Sequence, residues 1–447
     1  MGKELFGTDG IRGIPGEYPL DDATLYWCGH ALGTYLRREV REPHVLIGMD
    51  TRESGSHIAG QIASGLAAGG VTPAFAGIIT TPGVACLVRQ KQYQAGVVIS
   101  ASHNPYYDNG VKLFSGAGMK FRDAIEEQLE ADILQNKNGS TPGPAASLRA
   151  DESFDADYVA FLRTRVLPDA NLAGMKIVLD CANGAASRLG PEVFASLGAD
   201  VTAICNQPDG KNINAGCGSL HMEGLQERVL ADGATLGVAF DGDADRALFV
   251  SSSGRLINGD GVLLAAARYL ASAGKLKGNR VISTTMSNLG LERVLASEGI
   301  TLVRVPVGDR YVLEEMLRSG AVVGGEQSGH IIFLEDAPAG DGLVTALKIA
   351  SLVSLRGSLD NLVAGQRDFP QTIVNVKVRS KPPLESLADV SRVLADANAA
   401  LGANGRIVLR YSGTEPLVRV MVEAEHSADV QRWSQSIAGA VRSAIGA

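Results

Sequence analysis

Short runs of consecutive apolar residues recur along the first three quarters of the chain, and each ends in Gly, Asp or Ser before a helix-like stretch. The clearest runs span residues 45–48, 96–99, 176–179, 236–240, 281–283 and 321–323. Because the runs are continuous rather than alternating, they predict strands buried on both faces, in mixed or parallel sheets flanked by helices. Polar residues that follow such strands are the usual ligand contacts of open α/β sheets.

The pattern changes near residue 370, where apolar and polar residues begin to alternate. The alternation covers Thr372–Val378 and Leu417–Glu425 and predicts half-exposed strands. A last set of apolar residues recurs at helical spacing and predicts a closing helix; its members are Val430, Trp433, Ile437, Val441 and Ile445.

Turn-rich segments predict where the domains divide. Asn136–Pro144 closes a first domain ahead of a helix at Ser153–Val166, and further boundaries fall near residues 251–254 and 365–370. We therefore expect the fold class α/β, with three mixed αβα-sandwich domains followed by a C-terminal α+β domain. The predicted domains are residues 1–150, 151–254, 255–368 and 369–447.

Composition and charge narrow the class of protein. Of 447 residues, 45% are hydrophobic and 20% are charged, which excludes a disordered or fibrous chain. The net charge of −8 argues against a strongly basic nucleic-acid binder. The N-terminus has no basic region followed by an apolar stretch, so we expect no secretory signal, and no apolar run reaches the roughly 18 residues that a membrane span needs. Five cysteines without C-x-x-C spacing fit a reducing compartment, so we expect a cytoplasmic protein that binds neither nucleic acid nor membranes.

The first candidate site is the loop Ile99–Pro105, which directly follows an apolar run. Pro105 disfavours helical angles at the preceding residue, so Ser102 and His103 lie on a constrained loop. A serine hydroxyl held in this way could accept and return a phosphoryl group. An ordinary turn remains an alternative. A serine hydrolase is disfavoured because Ser102 lacks the flanking glycines of the G-x-S-x-G elbow.

The second candidate site is Asp241-Gly242-Asp243-Ala244-Asp245-Arg246, which places three carboxylates at alternate positions after an apolar run. Three hard oxygen ligands that repel one another suit Mg²⁺. A calcium loop would need Gly at the sixth position and Glu at the twelfth, where this chain has Arg246 and Ser252. A solvated acidic turn is the remaining alternative.

A third candidate site lies between the two late strands. Arg410, Ser412, Gly413 and Thr414 combine a guanidinium, two hydroxyls and an accessible backbone, and Arg419 follows closely. These groups together could hold a phosphate. A plain hairpin turn is the alternative.

Further candidates lie in glycine-rich turns and beside the serine loop. Glu326 and Ser328 could bond sugar hydroxyls, and His330 in the same loop is a possible proton donor. Arg12 lies in the turn Gly7–Gly13, and Lys112 follows the serine loop closely enough to face the same site. A structural histidine and two surface cations are the alternative interpretations.

Taken together and in this order, these motifs resemble the α-D-phosphohexomutase family over nearly the whole chain. The resemblance implies that the domains face one central cleft. It also implies that Ser102 is a phosphoserine and that one Mg²⁺ per chain is held by Ser102, Asp241, Asp243 and Asp245. It assigns Glu326 and Ser328 to the sugar, and the loop with Arg410, Ser412, Gly413, Thr414 and Arg419 to the unreactive phosphate. Arg12 and Lys112 would lie near the transferring phosphoryl group, and we expect His330, the possible proton donor, to be catalytic with them. We expect Lys112 to act as general acid/base, since a lysine buried near cations can lose its proton.

Within the motifs, the choice of Ala244 in the acidic loop and of Gln327 next to Glu326 is similar to the branch of the family that acts on glucosamine phosphates. That branch interconverts glucosamine 6-phosphate and glucosamine 1-phosphate through a 1,6-bisphosphate and feeds UDP-N-acetylglucosamine and cell-wall precursor synthesis. Glucosamine or glucose 1,6-bisphosphate would activate the phosphoenzyme, and a homodimer is expected. The alternatives are a phosphomannomutase or phosphoglucomutase of the same family and, from another class, a catalytically silent sugar-phosphate binding protein.

Overall fold

The computed structural model describes residues 4–7, 9–137, 143–412 and 416–447. They divide into two compact units, which we describe separately: residues up to 284 together with 305–364, and residues 285–304 together with 365–447. The described helices are α1 Asp22–Arg37, α2 Gly55–Ala68, α3 Thr81–Gln90, α4 Asp123–Asn136, α5 Ser153–Arg163, α6 Ala186–Ser196, α7 Glu223–Asp232, α8 Gly259–Ser272, α9 Leu289–Ser297, α10 Asp309–Ser319, α11 Gly342–Arg356, α12 Leu359–Leu362, α13 Ala388–Leu401 and α14 Ser427–Ile445.

The described strands are β1 Ile11–Gly13, β2 His44–Met49, β3 Thr72–Ile78, β4 Ala95–Ile99, β5 Asn109–Ser115, β6 Lys176–Asp180, β7 Asp200–Ile204, β8 Leu236–Phe240, β9 Ala247–Ser251, β10 Leu256–Ile257, β11 Arg280–Thr284, β12 Thr301–Val305, β13 Val323–Gly325, β14 Ile331–Phe333, β15 Gln371–Lys377, β16 Gly405–Tyr411 and β17 Leu417–Ala424. Strands therefore form at or within a residue or two of the apolar runs that predicted them.

The larger unit contains two five-stranded sheets of the same design. Their strand orders are β1-β5-β4-β2-β3 and β10-β9-β8-β6-β7. In each sheet the three strands at one side are parallel and the next pairing is antiparallel. Every residue of β4 and of β8 is buried, as continuous apolar runs predict. In the same unit β11 pairs in parallel with β13, and β13 pairs antiparallel with β14.

The smaller unit is an antiparallel sheet of order β15-β17-β16 with helices packed on it. The predicted stripe of α14 (Val430, Trp433, Ile437, Val441 and Ile445) is buried as expected. The prediction that β17 is half-exposed is wrong, because β17 is the central strand and both its faces are covered. On the second face Glu423 is fully buried, pairs with Arg406 and accepts a hydrogen bond from Leu289 N–H of α9.

Two other predictions differ in detail from the structure. The helix expected over Ser153–Val166 ends at Arg163. The boundary expected near residues 251–254 falls in the turn that joins the antiparallel strands β9 and β10. The four domain ranges remain a prediction. Within the described part of the chain, no helix has the length and hydropathy that crossing a bilayer requires.

Candidate active site

Ser102 lies just after the carboxyl end of β4 and is 2% exposed. Its backbone is left-handed, with a φ of 52°. Its N–H donates to Ser100 Oγ at 2.9 Å, and Ser100 Oγ in turn donates to Asp50 Oδ2 at 2.6 Å. Its own hydroxyl donates to Asp241 Oδ2 at 2.6 Å. The structure thus brings together the serine loop and the acidic loop that the sequence placed after separate strands.

Asp241, Asp243 and Asp245 form one group whose oxygens lie within 4.8 Å of one another. Burial raises the pKa of Asp241 well above its usual range, and the charges of Asp245 and Asp243 raise it further. Asp243 Oδ1 and Asp245 Oδ1 are buried and accept no hydrogen bond from the described residues. Unpartnered buried carboxylate oxygens are costly without a cation, so this group fits Mg²⁺ with Ser102 beside it.

A second group could also hold a metal ion, and the cysteine spacing did not reveal it. Asp180, Cys205 and Cys217 place their ligand atoms within 4.8 Å of one another. Both oxygens of Asp180 already accept backbone hydrogen bonds, from Ala182 and Gly218, each at 2.9 Å. This carboxylate is therefore partnered without an ion, unlike the oxygens of the three-aspartate group.

Lys112 on β5 is buried against the three-aspartate group, so its nearest charged neighbours are carboxylates rather than the cations that were expected. Its Nζ lies 2.7 Å from Asp243 Oδ2, 3.3 Å from Asp9 Oδ2 and 3.8 Å from Asp245 Oδ2. Burial alone would lower the pKa of Lys112, but the three carboxylates outweigh burial and raise the pKa. The cation Arg12 also lowers the pKa of Lys112, as a cation nearby was expected to do, but the three carboxylates outweigh it, so this arrangement favours the ammonium form.

Arg12 lies on β1, directly across from Gly110 of β5. Its guanidinium pairs with Asp9 and donates from Nη1 to the carbonyl of Ala101 at 3.4 Å. Of the two predicted cations, Arg12 therefore contacts the serine loop and Lys112 contacts the acidic loop.

Glu326, Ser328 and His330 lie in the turn between β13 and β14. Burial raises the pKa of Glu326, whose Oε1 accepts a hydrogen bond from Gly308 N–H at 3.2 Å. His330 Nδ1 lies 3.6 Å from Asp245 Oδ2. Burial alone would lower the pKa of His330, but Asp245, Asp309 and Glu326 raise it to about 9. Gly340 N–H donates to His330 Nε2 at 3.1 Å. This hydrogen bond needs an Nε2 without a proton, so it favours the neutral ring and opposes the effect of the carboxylates. His330 is thus in contact with the carboxylate group, whereas Ser328 is half-buried in the turn.

In the smaller unit, Arg410 of β16 and Arg419 of β17 are direct cross-strand neighbours. Burial and the charge of Arg419 both lower the pKa of Arg410. Lys381 Nζ donates to the carbonyl of Ser412 at 3.0 Å and adds a third cation, which the sequence did not predict. Like charges at facing positions of a sheet repel one another. An anion bound between Arg410, Arg419 and Lys381 would relieve that repulsion. The predicted ligands Gly413 and Thr414 lie outside the described residues.

Four family models match the chain in order: the α/β/α domains I, II and III and the C-terminal domain of phosphoglucomutase/phosphomannomutase, over residues 3–140, 156–254, 258–368 and 373–440. A protein of Solibacter usitatus named phosphoglucosamine mutase is 51% identical over 447 residues, which is 100% of both chains. The chain belongs to the phosphoglucomutase/phosphomannomutase family. The predicted resemblance and the predicted α/β fold class are thereby confirmed, and the chain is an isomerase of this phosphotransferase family.

Two solved structures share the fold. A phosphoglucomutase/phosphomannomutase family protein of Burkholderia thailandensis has a TM-score of 0.80 at 24% identity, covering 99% of this chain and 98% of that chain. Aspergillus fumigatus N-acetylphosphoglucosamine mutase, solved in complex with GlcNAc-6P and magnesium, has a TM-score of 0.64 at 19% identity, covering 99% and 96%.

Three charged residues beside Lys112 and His330 were not predicted from the sequence. Lys120 Nζ joins Asp9 Oδ1 at 2.7 Å and Asp309 Oδ2 at 2.8 Å. Asp9 lies in the Gly7–Gly13 turn already singled out, so that turn pointed to it. Lys120 and Asp309 lie far apart in the chain and outside the loops singled out from the sequence.

Proposed function

We propose that the chain interconverts glucosamine 6-phosphate and glucosamine 1-phosphate through a phosphorylated Ser102. The observation that carries the proposal is the buried Ser102 hydroxyl, 2.6 Å from an aspartate of a three-carboxylate group with Lys112 beside it. This arrangement combines a nucleophile, a site for a divalent cation and a fixed positive charge, which are the groups that phosphoryl transfer requires. The name of the Solibacter relative supports the choice of sugar.

In the first half-reaction, the O1 hydroxyl of glucosamine 6-phosphate attacks the phosphorus on Ser102. The new bond joins O1 to phosphorus and the Ser102 Oγ–phosphorus bond breaks. O1 gives up its proton and the released Ser102 Oγ takes one up, so the products are the bisphosphate and a free serine hydroxyl. The resulting 1,6-bisphosphate turns round, and the Ser102 hydroxyl attacks the 6-phosphorus. The O6–phosphorus bond breaks, Ser102 Oγ gives up its proton, and O6 takes one up. The sugar leaves as glucosamine 1-phosphate, and the enzyme is phosphorylated again.

The aspartates Asp241, Asp243 and Asp245 would hold Mg²⁺, which supplies positive charge against the phosphoryl oxygens. Lys112 and Arg12 supply further positive charge near the same group, which stabilises the spread negative charge of the transition state. Because its three carboxylate neighbours favour the ammonium form, we propose Lys112 first as a phosphoryl-binding cation. Its use as general acid/base depends on those carboxylates being neutralised.

The remaining predicted residues serve substrate binding in this proposal. Glu326 and Ser328 bond the sugar, and His330 donates a proton or a hydrogen bond near the transferring group. The cations Arg410 and Arg419, with the Ser412 loop, hold the phosphate that does not react.

Cofactor, compartment and assembly belong to the same proposal. Glucosamine or glucose 1,6-bisphosphate would restore a dephosphorylated enzyme, and the product would feed UDP-N-acetylglucosamine synthesis in the cytoplasm. A homodimer remains a prediction.

The experiment that tests this function compares kcat/KM for glucosamine, glucose and mannose 6-phosphates, with Ser102→Ala as the control. We expect glucosamine 6-phosphate to be preferred and Ser102→Ala to be inactive with every sugar. A clear preference for mannose or glucose phosphate would assign the chain to the alternative mutase of the family. Substantial turnover by Ser102→Ala would overturn the phosphoserine mechanism itself.

A further inference from the structure

The backbone of Ser102 adopts a conformation that few residues with a side chain accept. Its φ of 52° lies in the left-handed region, which costs about 1–3 kcal/mol for a residue other than glycine. Such a conformation persists only where surrounding groups hold it. The groups that hold it are therefore part of what aims the Ser102 hydroxyl.

One such group is the guanidinium of Arg52, from the loop between β2 and α2. Its side chain is fully buried and its Nε donates to Asp50 Oδ2 at 3.0 Å. Its Nη2 donates to the carbonyl oxygens of Ser102 at 3.0 Å and Asn104 at 2.8 Å. Its Nη1 donates to the carbonyl of Asp108 at 3.0 Å and to that of Pro105. One buried arginine thus bonds three carbonyls of the serine loop and a fourth, that of Asp108, just beyond it.

A second group reaches the same loop from the segment between β7 and α7. Asn214 Nδ2 donates to the carbonyl of Ser102 at 2.9 Å and to that of Asn104 at 3.1 Å. These are two of the four carbonyls that Arg52 holds. The backbone of Asn214 is itself left-handed, with a φ of 59°, and its N–H donates to the carbonyl of Ala182 at 2.8 Å.

We propose that Arg52 and Asn214 are positioning residues that fix Ser102 in one orientation for both half-reactions. The inference rests on the proposed function, in which the same hydroxyl gives a phosphoryl group to one end of the sugar and takes one from the other. In the first half-reaction the sugar attacks the phosphorus on Ser102, and in the second Ser102 attacks the phosphorus on the sugar. Both in-line displacements therefore depend on where Ser102 Oγ is held. Misplacement by about 1 Å can cost roughly 100-fold in rate.

Asn214 separates this role from a purely structural one. Removing its amide leaves the Ser102 and Asn104 carbonyls bonded to Arg52, so the buried oxygens keep a partner. The fold loses little beyond the strain of an alanine at a left-handed position, which Asn214→Asp avoids, whereas the orientation of Ser102 loses one of its two constraints. Asn212, in the same segment, offers a matched control. Its side chain accepts from Asp209 N–H at 3.0 Å and donates to the carbonyl of Gln207 at 2.9 Å, within its own segment.

The test compares Asn214→Ala with Asn212→Ala in kcat, KM and single-turnover transfer from phosphorylated enzyme to sugar phosphate. We expect Asn214→Ala to lower kcat and the single-turnover rate by about tenfold or more with little change in KM, because only orientation is lost. Asn212→Ala should keep both rates near wild type. A second variant, Asn214→Asp, keeps the shape but turns an acceptor toward the two carbonyls, and its rates should fall further.

Equal rates for the Asn214 variants and Asn212→Ala would overturn the positioning role. A rise in KM with unchanged kcat would also overturn it, because that result indicates lost binding. Ser102→Ala, measured alongside, separates the two proposals: if that variant stays active, the phosphoserine mechanism fails. If Ser102→Ala is inactive while the Asn214 variants match the control, only the positioning role fails.

Discussion

Gly242, between the first two aspartates of the acidic loop, is the position where one added methyl group should damage catalysis most directly. A Cβ atom at this position would lie 2.5 Å from the carbonyl oxygen of Ser102, 2.8 Å from Ile213 Cδ1 and 2.9 Å from Asn214 Nδ2. An ordinary contact begins at 3.4 Å, so the Ser102 carbonyl or the acidic loop must shift by about 0.9 Å. The carbonyl cannot retreat freely, because Arg52 and Asn214 both donate to it.

We therefore expect Gly242→Ala to lower kcat by about 100-fold, the cost typical of a displacement of about 1 Å at a reacting group. Overpacking of this kind destabilises by about 1–3 kcal/mol, so the variant should still fold. Conversion of glucosamine 6-phosphate at saturating Mg²⁺, followed by ³¹P NMR, gives kcat, and a thermal melt reports folding. Gly224→Ala in α7 is the control, since its Cβ would meet nothing within 4 Å. A Gly242→Ala enzyme within about threefold of wild type would refute the reasoning, since it would mean that the shift is absorbed without moving Ser102.

Three further predictions follow from other parts of the structure. Arg410→Ala should raise KM by about tenfold with a smaller change in kcat, because it removes binding common to ground and transition states; an unchanged KM would contradict the phosphate role. Burial raises the pKa of Asp341 from 3.8 to about 6, so its ionisation costs the folded protein up to about 3 kcal/mol as pH rises from 4 to above 6. Asp341→Asn removes that cost, so the melting temperature of the variant minus that of wild type should increase from pH 4 to pH 7. A difference that does not change with pH would contradict the raised pKa. Chelation with excess EDTA should stop turnover and added Mg²⁺ should restore it, whereas undiminished activity in EDTA would exclude the metal role of the three aspartates.

Much of this arrangement could be predicted because it follows from local pattern. The apolar runs before Ser102 and Asp241 predicted buried parallel strands, and loops that leave the carboxyl ends of such strands lie at the edge where ligands bind. Ser102 and Asp241 follow strands of two different sheets. That their side chains lie close together could be predicted only from the family resemblance, not from local pattern.

The rest depends on contacts between distant parts of the chain. Lys112 was recognised, but the sign of its surroundings was not, because Asp9 comes from the first strand region and Asp243 from another sheet. Arg52 is a residue type that normally stays at the surface, and its burial is explained only by the ring of carbonyl oxygens that the folded serine loop presents. No periodicity in the sequence encodes either environment.

The most direct test of the central claim follows one phosphoryl group. The enzyme is labelled with ³²P-glucose 1,6-bisphosphate, freed of excess label, and mixed with unlabelled glucosamine 6-phosphate in a single turnover. We predict that the label is on Ser102 before mixing and passes to the sugar as 1,6-bisphosphate and 1-phosphate afterwards. Label on another residue, or label on Ser102 that the sugar phosphate does not remove, would contradict the proposed mechanism.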